Sequence, residues 1–138
     1  MKTSLFAAAL LLVTGTAFAD DKGAIEQHGK ATYYSGKLQG RKTASGKRMQ
    51  QDKMTAASPD LPMGSKAKVT NLETGKSADV TINDRGPHAK GRIIDVSKEA
   101  AGKLDMKQDG VAPVKVEAKP ADQPTPELKQ KVEQAARK

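Results

Sequence analysis

The sequence predicts an all-β domain closed into a small barrel. Three observations carry that expectation. Runs of strand formers, several alternating apolar and polar residues, recur through residues 29–117, separated by turn residues. The chain has no cysteine, so disulfides cannot stabilise it and a core with backbone pairing must. That core is thin: Tyr33 and Tyr34 are the only aromatics beyond residue 19. A barrel filled with Val, Ile, Leu, Met and Ala suits this composition better than a large sandwich.

The elements follow in chain order. Lys30 to Ser35 is rich in strand formers. Ala67 to Asn71 alternates, as does Ser77 to Ile82, where Ala78, Val80 and Ile82 share one face. Between them, Leu72 to Lys76 reads as a hairpin loop with Gly75 at a turn position. Arg92 to Val96 and Val111 to Val116 supply two more strands. One short helix fits Lys98 to Leu104 with Ser97 as its N-cap.

The flanks differ from this domain. Lys2, the apolar run Leu5–Val13 and Ala17-Phe18-Ala19 have the order of an export signal, so residues 1–19 read as a cleavable signal peptide. The run is shorter than the roughly 20 residues a membrane-spanning helix needs. No cysteine follows it to carry a lipid anchor. The expected location is therefore the periplasm, as a soluble protein without a membrane anchor. Residues 20–28 are polar and read as a mobile leader. In residues 118–138, Pro120, Pro124 and Pro126 mark a linker. Thr125 can cap a final helix with Pro126 in its first turn. Glu127/Lys131 and Glu133/Arg137 are placed as i,i+4 pairs. Few apolar residues fall there, so this helix is expected to fray.

The formal charge is +8. A basic protein attracts polyanions. Outside the cytoplasm these are wall carboxylates and lipid headgroups. Nucleic acid is not expected, because no aromatics are interleaved with the basic residues. Two histidines and no cysteine offer no evident metal site, and no cofactor is expected. Gly40–Lys47 has the wrong glycine spacing for a phosphate loop, and Arg48 stands where Ser or Thr is required.

Three segments stand out as candidate chemistry: Thr43–Lys47, Leu61–Gly64 and Asn83–Pro87. In the last, a β-branched strand runs into Asn83-Asp84-Arg85-Gly86-Pro87. An acid at a strand end is held on a rigid element yet can face a groove, which suits a general acid/base. The same residue can instead cap the turn or pair with Arg85 or Arg92.

LPMGSKAKVTNL (61–72), NDRGP (83–87) and GRIIDVS (91–97) occur together and in order. With them, residues 29–117 resemble the RlpA-like (rare lipoprotein A) family. The resemblance implies a six-stranded double-psi β-barrel, the scaffold shared with expansins. It also implies lytic transglycosylation of peptidoglycan glycan strands, preferably strands lacking stem peptides. In that reaction a carboxylic acid protonates the bridging oxygen of a MurNAc–GlcNAc bond. The MurNAc 6-hydroxyl then attacks its own anomeric carbon, and a 1,6-anhydro end results without water or metal.

Carried over residue by residue, the family aspartate is Asp84. The family glutamate position is Lys47 and the family histidine position is Ser58. Tyr33 and Tyr34 match an aromatic pair, of which one can stack on sugar while the other packs inward. Asn83, Arg85 and His88 are further substrate-binding candidates. Arg85 and Arg92 can bind glycan or neutralise Asp84 and Asp95. Asp95 otherwise reads as supporting the start of the short helix. The alternative function is a non-catalytic glycan-binding or expansin-like wall-organising module.

Overall fold

The computed structural model describes residues 23–33 and 40–137. The expected signal peptide and Tyr34 lie outside them. Six strands are seen among the described residues: β1 (Ile25–Tyr33), β2 (Thr55–Ala57), β3 (Lys66–Asn71), β4 (Ser77–Asp84), β5 (Arg92–Val96) and β6 (Val111–Ala118). They close in the order β1-β5-β2-β4-β3-β6. Two pairings, β1/β5 and β2/β4, are parallel. The other four are antiparallel. This mixed barrel agrees with the fold class that the sequence predicts.

Alternation explains most of it. In β4, Ala78, Val80 and Ile82 point inward and are buried, while Ser77 and Asp79 face solvent. Val69, Ile94, Val96, Val114 and Val116 complete the lining together with small alanines. No aromatic side chain is among the fully buried ones. The hairpin joining β3 to β4 is held by Asn71. Its amide N–H donates to Lys76 O at 2.8 Å, its carboxamide donates to Leu104 O at 2.8 Å, and its Oδ1 accepts from Glu73 N at 2.9 Å.

Helix α1 (Lys98–Lys103) forms with Ser97 as N-cap, its side chain accepting from Ala100 N at 3.3 Å. This hydroxyl also donates to Lys53 O, which ties the helix start to the segment before β2.

Two expectations need correction. The leader does not extend to residue 28: Ile25–His28 belong to β1 and pair with Lys115–Ala118 of β6. Its inward positions include Gln27 and Gly29, so hydropathy does not reveal the alternation. Gly29 is required there, because a Cβ would lie 2.7 Å from Ile93 Cγ2 and 3.1 Å from Gly91 O. At the other end, the tail does not hang free of the barrel. A 3₁₀ turn (Pro120–Asp122) leads to α2 (Pro126–Ala136), capped by Thr125 as expected. Val132 of α2 is fully buried in the main core. Gln123 brackets Lys66 by accepting from its N–H at 2.7 Å and donating to its carbonyl at 3.0 Å. Neither proposed i,i+4 pair is among the ion pairs within 4 Å.

Candidate functional site

Asp84 is the last residue of β4 and is half-buried. Its Oδ1 accepts from two backbone N–H groups, Ala44 at 2.8 Å and Arg85 at 2.9 Å. The carboxylate is thus fixed from two sides by main chain. Charge-assisted bonds of this kind orient a carboxylate without occupying a side chain.

The Ala44 contact comes from a tight hairpin over residues 40–49. Gly40 N donates to Met49 O at 2.9 Å, and Thr43 N donates to Lys47 O at 2.8 Å. Thr43 Oγ1 adds a second bond to Lys47 O at 2.9 Å. Ser45 N donates to Asn83 O at 3.1 Å, so the hairpin is stitched to the end of β4 at both Asn83 and Asp84. The small residues of Thr43-Ala44-Ser45-Gly46 allow this close approach.

Strand β2 brings in Ser58. Ala57 pairs with Asp84, and Ser58 N donates to Asp84 O at 3.1 Å. The Ser58 side chain is fully buried and serves its own turn, accepting from Leu61 N at 3.0 Å and Asp60 N at 3.3 Å. Arg85 clamps the same turn, with Nη1 donating to Ser58 O at 3.1 Å and Leu61 O at 2.7 Å. Its guanidinium therefore braces the backbone at the Asp84 end.

Asp95 is not a helix-capping group. Its Oδ1 accepts from Thr32 Oγ1 and from Arg92 Nη2 at 2.8 Å. Asp95 lies across β2 from Asp84, since Ala57 pairs with both. Neighbouring strands stand about 4.8 Å apart, so the two backbones are roughly 10 Å apart.

The remaining candidates divide. Lys47 and Asn83 line one groove of ≈ 650 Å³. Tyr33 instead packs against the core, and its hydroxyl donates to Lys107 O at 3.0 Å. His88 is exposed in the loop after the cis Gly86–Pro87 bond. No metal-holding group of acids and histidines is found among the described residues. None of their helices is long and apolar enough to cross a membrane.

Comparison with known proteins places this geometry. The chain is 50% identical over 91 residues to the endolytic peptidoglycan transglycosylase RlpA of Neisseria meningitidis, covering 66% of this chain and 38% of that protein. It is 46% identical over 99 residues to the protein of the same name from Vibrio cholerae, covering 72% of this chain and 38% of that one. The chain thus spans well under half the length of these relatives. Among solved structures, a Clavibacter michiganensis expansin matches with a TM-score of 0.54 at 25% identity, over 68% of this chain and 50% of the expansin. The Streptomyces papain inhibitor has the same TM-score at 24% identity, over 67% of this chain and 92% of that one, a likeness of fold. The lytic transglycolase family profile matches residues 26–116, which run from the start of β1 into the end of β6. On that match, and on the closed mixed barrel, the chain belongs to the lytic transglycolase family of RlpA-like double-psi β-barrels.

Proposed function

We propose that this protein works in the periplasm on peptidoglycan glycan strands, engaging them at the Asp84 end of the barrel in the manner of a lytic transglycosylase. The single observation that carries this reading is the Asp84 carboxylate, held by Ala44 N and Arg85 N at the end of strand β4. A fixed, half-buried carboxylic group of this kind can give a proton to the bridging oxygen as the C1–O bond breaks. It can then take the proton of the MurNAc 6-hydroxyl as the new C1–O6 bond closes. As the family resemblance implies, strands lacking stem peptides are the preferred substrate. The reaction asks nothing of a metal or cofactor.

A second reading has its own support. Lys47 and Ser58 occupy the positions of the family glutamate and histidine. An ammonium cannot serve as a carboxylic acid, and the Ser58 hydroxyl is buried in its turn. A module with these residues can hold a strand without cutting it, as a glycan-binding or expansin-like wall organiser.

Incubating the protein with naked glycan strands and analysing the products by mass spectrometry separates the two. New 1,6-anhydro ends that disappear in Asp84→Ala establish cleavage. Strand pull-down without new ends establishes the binding module. Neither pull-down nor new ends would overturn both readings.

A further inference from the structure

We propose that the groove lined by Lys47 and Asn83 is a carboxylate-reading site, so that this protein selects anionic over neutral stretches of wall glycan. The inference rests on the glycan reading above and adds what the groove recognises.

Three cations, Lys47, Arg48 and Lys53, line the groove, and no acidic side chain of the described residues does. All three are exposed, and none forms an ion pair within 4 Å with a carboxylate of the described residues. Around them the charge is lopsided: residues 40–53 hold five Lys and Arg, with Asp52 as the one acid. The hairpin described above, bonded to Asn83 and Asp84, holds Lys47 and Arg48 close to the end of β4. Like-signed charges gathered along one concave surface focus a positive potential there and raise the local concentration of anions.

The groove floor adds a second observation. Thr55, Thr81 and Asn83 line it on β2 and β4. Thr55 Oγ1 and Asn83 Oδ1 are out of solvent and have no hydrogen-bond partner among the described residues. Buried polar atoms are rarely left so. A side-chain rotation at either residue would turn its oxygen to a sugar hydroxyl seated above it. Cations along the rim and unpartnered polar atoms in the floor together fit a saccharide that carries a carboxylate. A lipid headgroup would use the rim alone.

Wall glycan has two sources of that group: the lactyl carboxylate of a naked strand and the carboxylates of a stem peptide. Where a stem is attached, the lactyl group is an amide and carries no charge.

The test measures binding of the protein to four probes: naked strands, naked strands with their carboxylates amidated by methylamine, strands bearing stem peptides, and phosphatidylglycerol vesicles. Naked strands are expected to bind at least ten-fold more tightly than amidated ones, with affinity falling as salt rises. Lys47→Gln/Arg48→Gln/Lys53→Gln should lose ten-fold or more on naked strands. Lys129→Gln/Lys131→Gln/Arg137→Gln removes the same charge from exposed positions of α2 and its C-cap and should lose less than three-fold. Preference for naked over stem-bearing strands identifies the lactyl group, and the reverse identifies the peptide; both support a carboxylate reader. Equal binding of naked and amidated strands overturns this inference and leaves the glycan reading standing. Equal losses in the two triple variants overturn it as well, because net charge then suffices. Vesicles bound in preference to every strand overturn it in favour of a lipid surface. Failure of every strand to bind removes the glycan reading itself.

Discussion

Replacing Val132 by Ala tests whether helix α2 is part of the folded unit. Val132 is fully buried in the main core although it lies beyond the last strand. Truncation removes two methyl groups, a transfer loss of about 1.6 kcal/mol at roughly 0.8 kcal/mol per group. The space left behind adds to this, as it does when other core side chains are shortened. Alanine returns about 0.5 kcal/mol through its higher helix propensity. The net expectation is a destabilisation of about 2 kcal/mol. For a domain near one hundred residues this lowers Tm by about 10 °C. Thermal melts followed by circular dichroism measure it, with Lys131→Ala as the control. Lys131 is exposed on the same helix, and its replacement should change stability by less than about 0.5 kcal/mol. A Val132→Ala protein that melts with the parent would refute the reasoning, because an undocked helix leaves Val132 in water and its truncation almost free.

Three other perturbations follow from the same contacts. Gly29→Ala drives a methyl group against Ile93 and Gly91 O, and urea unfolding should show a loss of about 1–3 kcal/mol. Asn71→Ala removes the carboxamide that serves both Leu104 O and Glu73 N, and should cost about 1–3 kcal/mol in the same measurement. Arg85→Ala releases the carbonyls of Ser58 and Leu61. Hydrogen exchange should accelerate at the amides of the 58–61 turn, with global stability falling by about 2 kcal/mol. Unchanged exchange there would show that the turn holds itself.

Strands β3 and β4 were legible because buried Ala, Val and Ile alternate with polar residues, and β5 and β6 because they are short runs rich in Val and Ile. The first half of β1 was not, since Gln27 and Gly29 follow Ile25 on its inward side, and Gly29 is there for close approach to Ile93 and not for hydropathy. Strand β2 has three residues, too few for a period to show. The final helix was legible from Thr125 and Pro126, but its docking depends on one valine and on Gln123 bonds to Lys66.

At the site, Asp84 was legible from its place after a strand and before Gly86-Pro87. Lys47 and Asn83 line one groove, a proximity that needed the fold of the 40–49 hairpin onto β4. The work done by Ala44 N–H on the Asp84 carboxylate and by Arg85 on the carbonyls of Ser58 and Leu61 was not legible, because the partners are distant in sequence. The placement of Asp95 across β2 from Asp84 needed the register of β2 between β4 and β5.

The central claim is that glycan is engaged at the Asp84 end of the barrel. Titrating the ¹⁵N-labelled protein with naked glycan strands and following its amide resonances tests that claim most directly. The account predicts that the largest shifts fall on Ala44, Ser45, Lys47, Asn83 and Arg85. Shifts confined to the outer face of β3 and β6, around Lys66, Lys68 and Glu117, would contradict it.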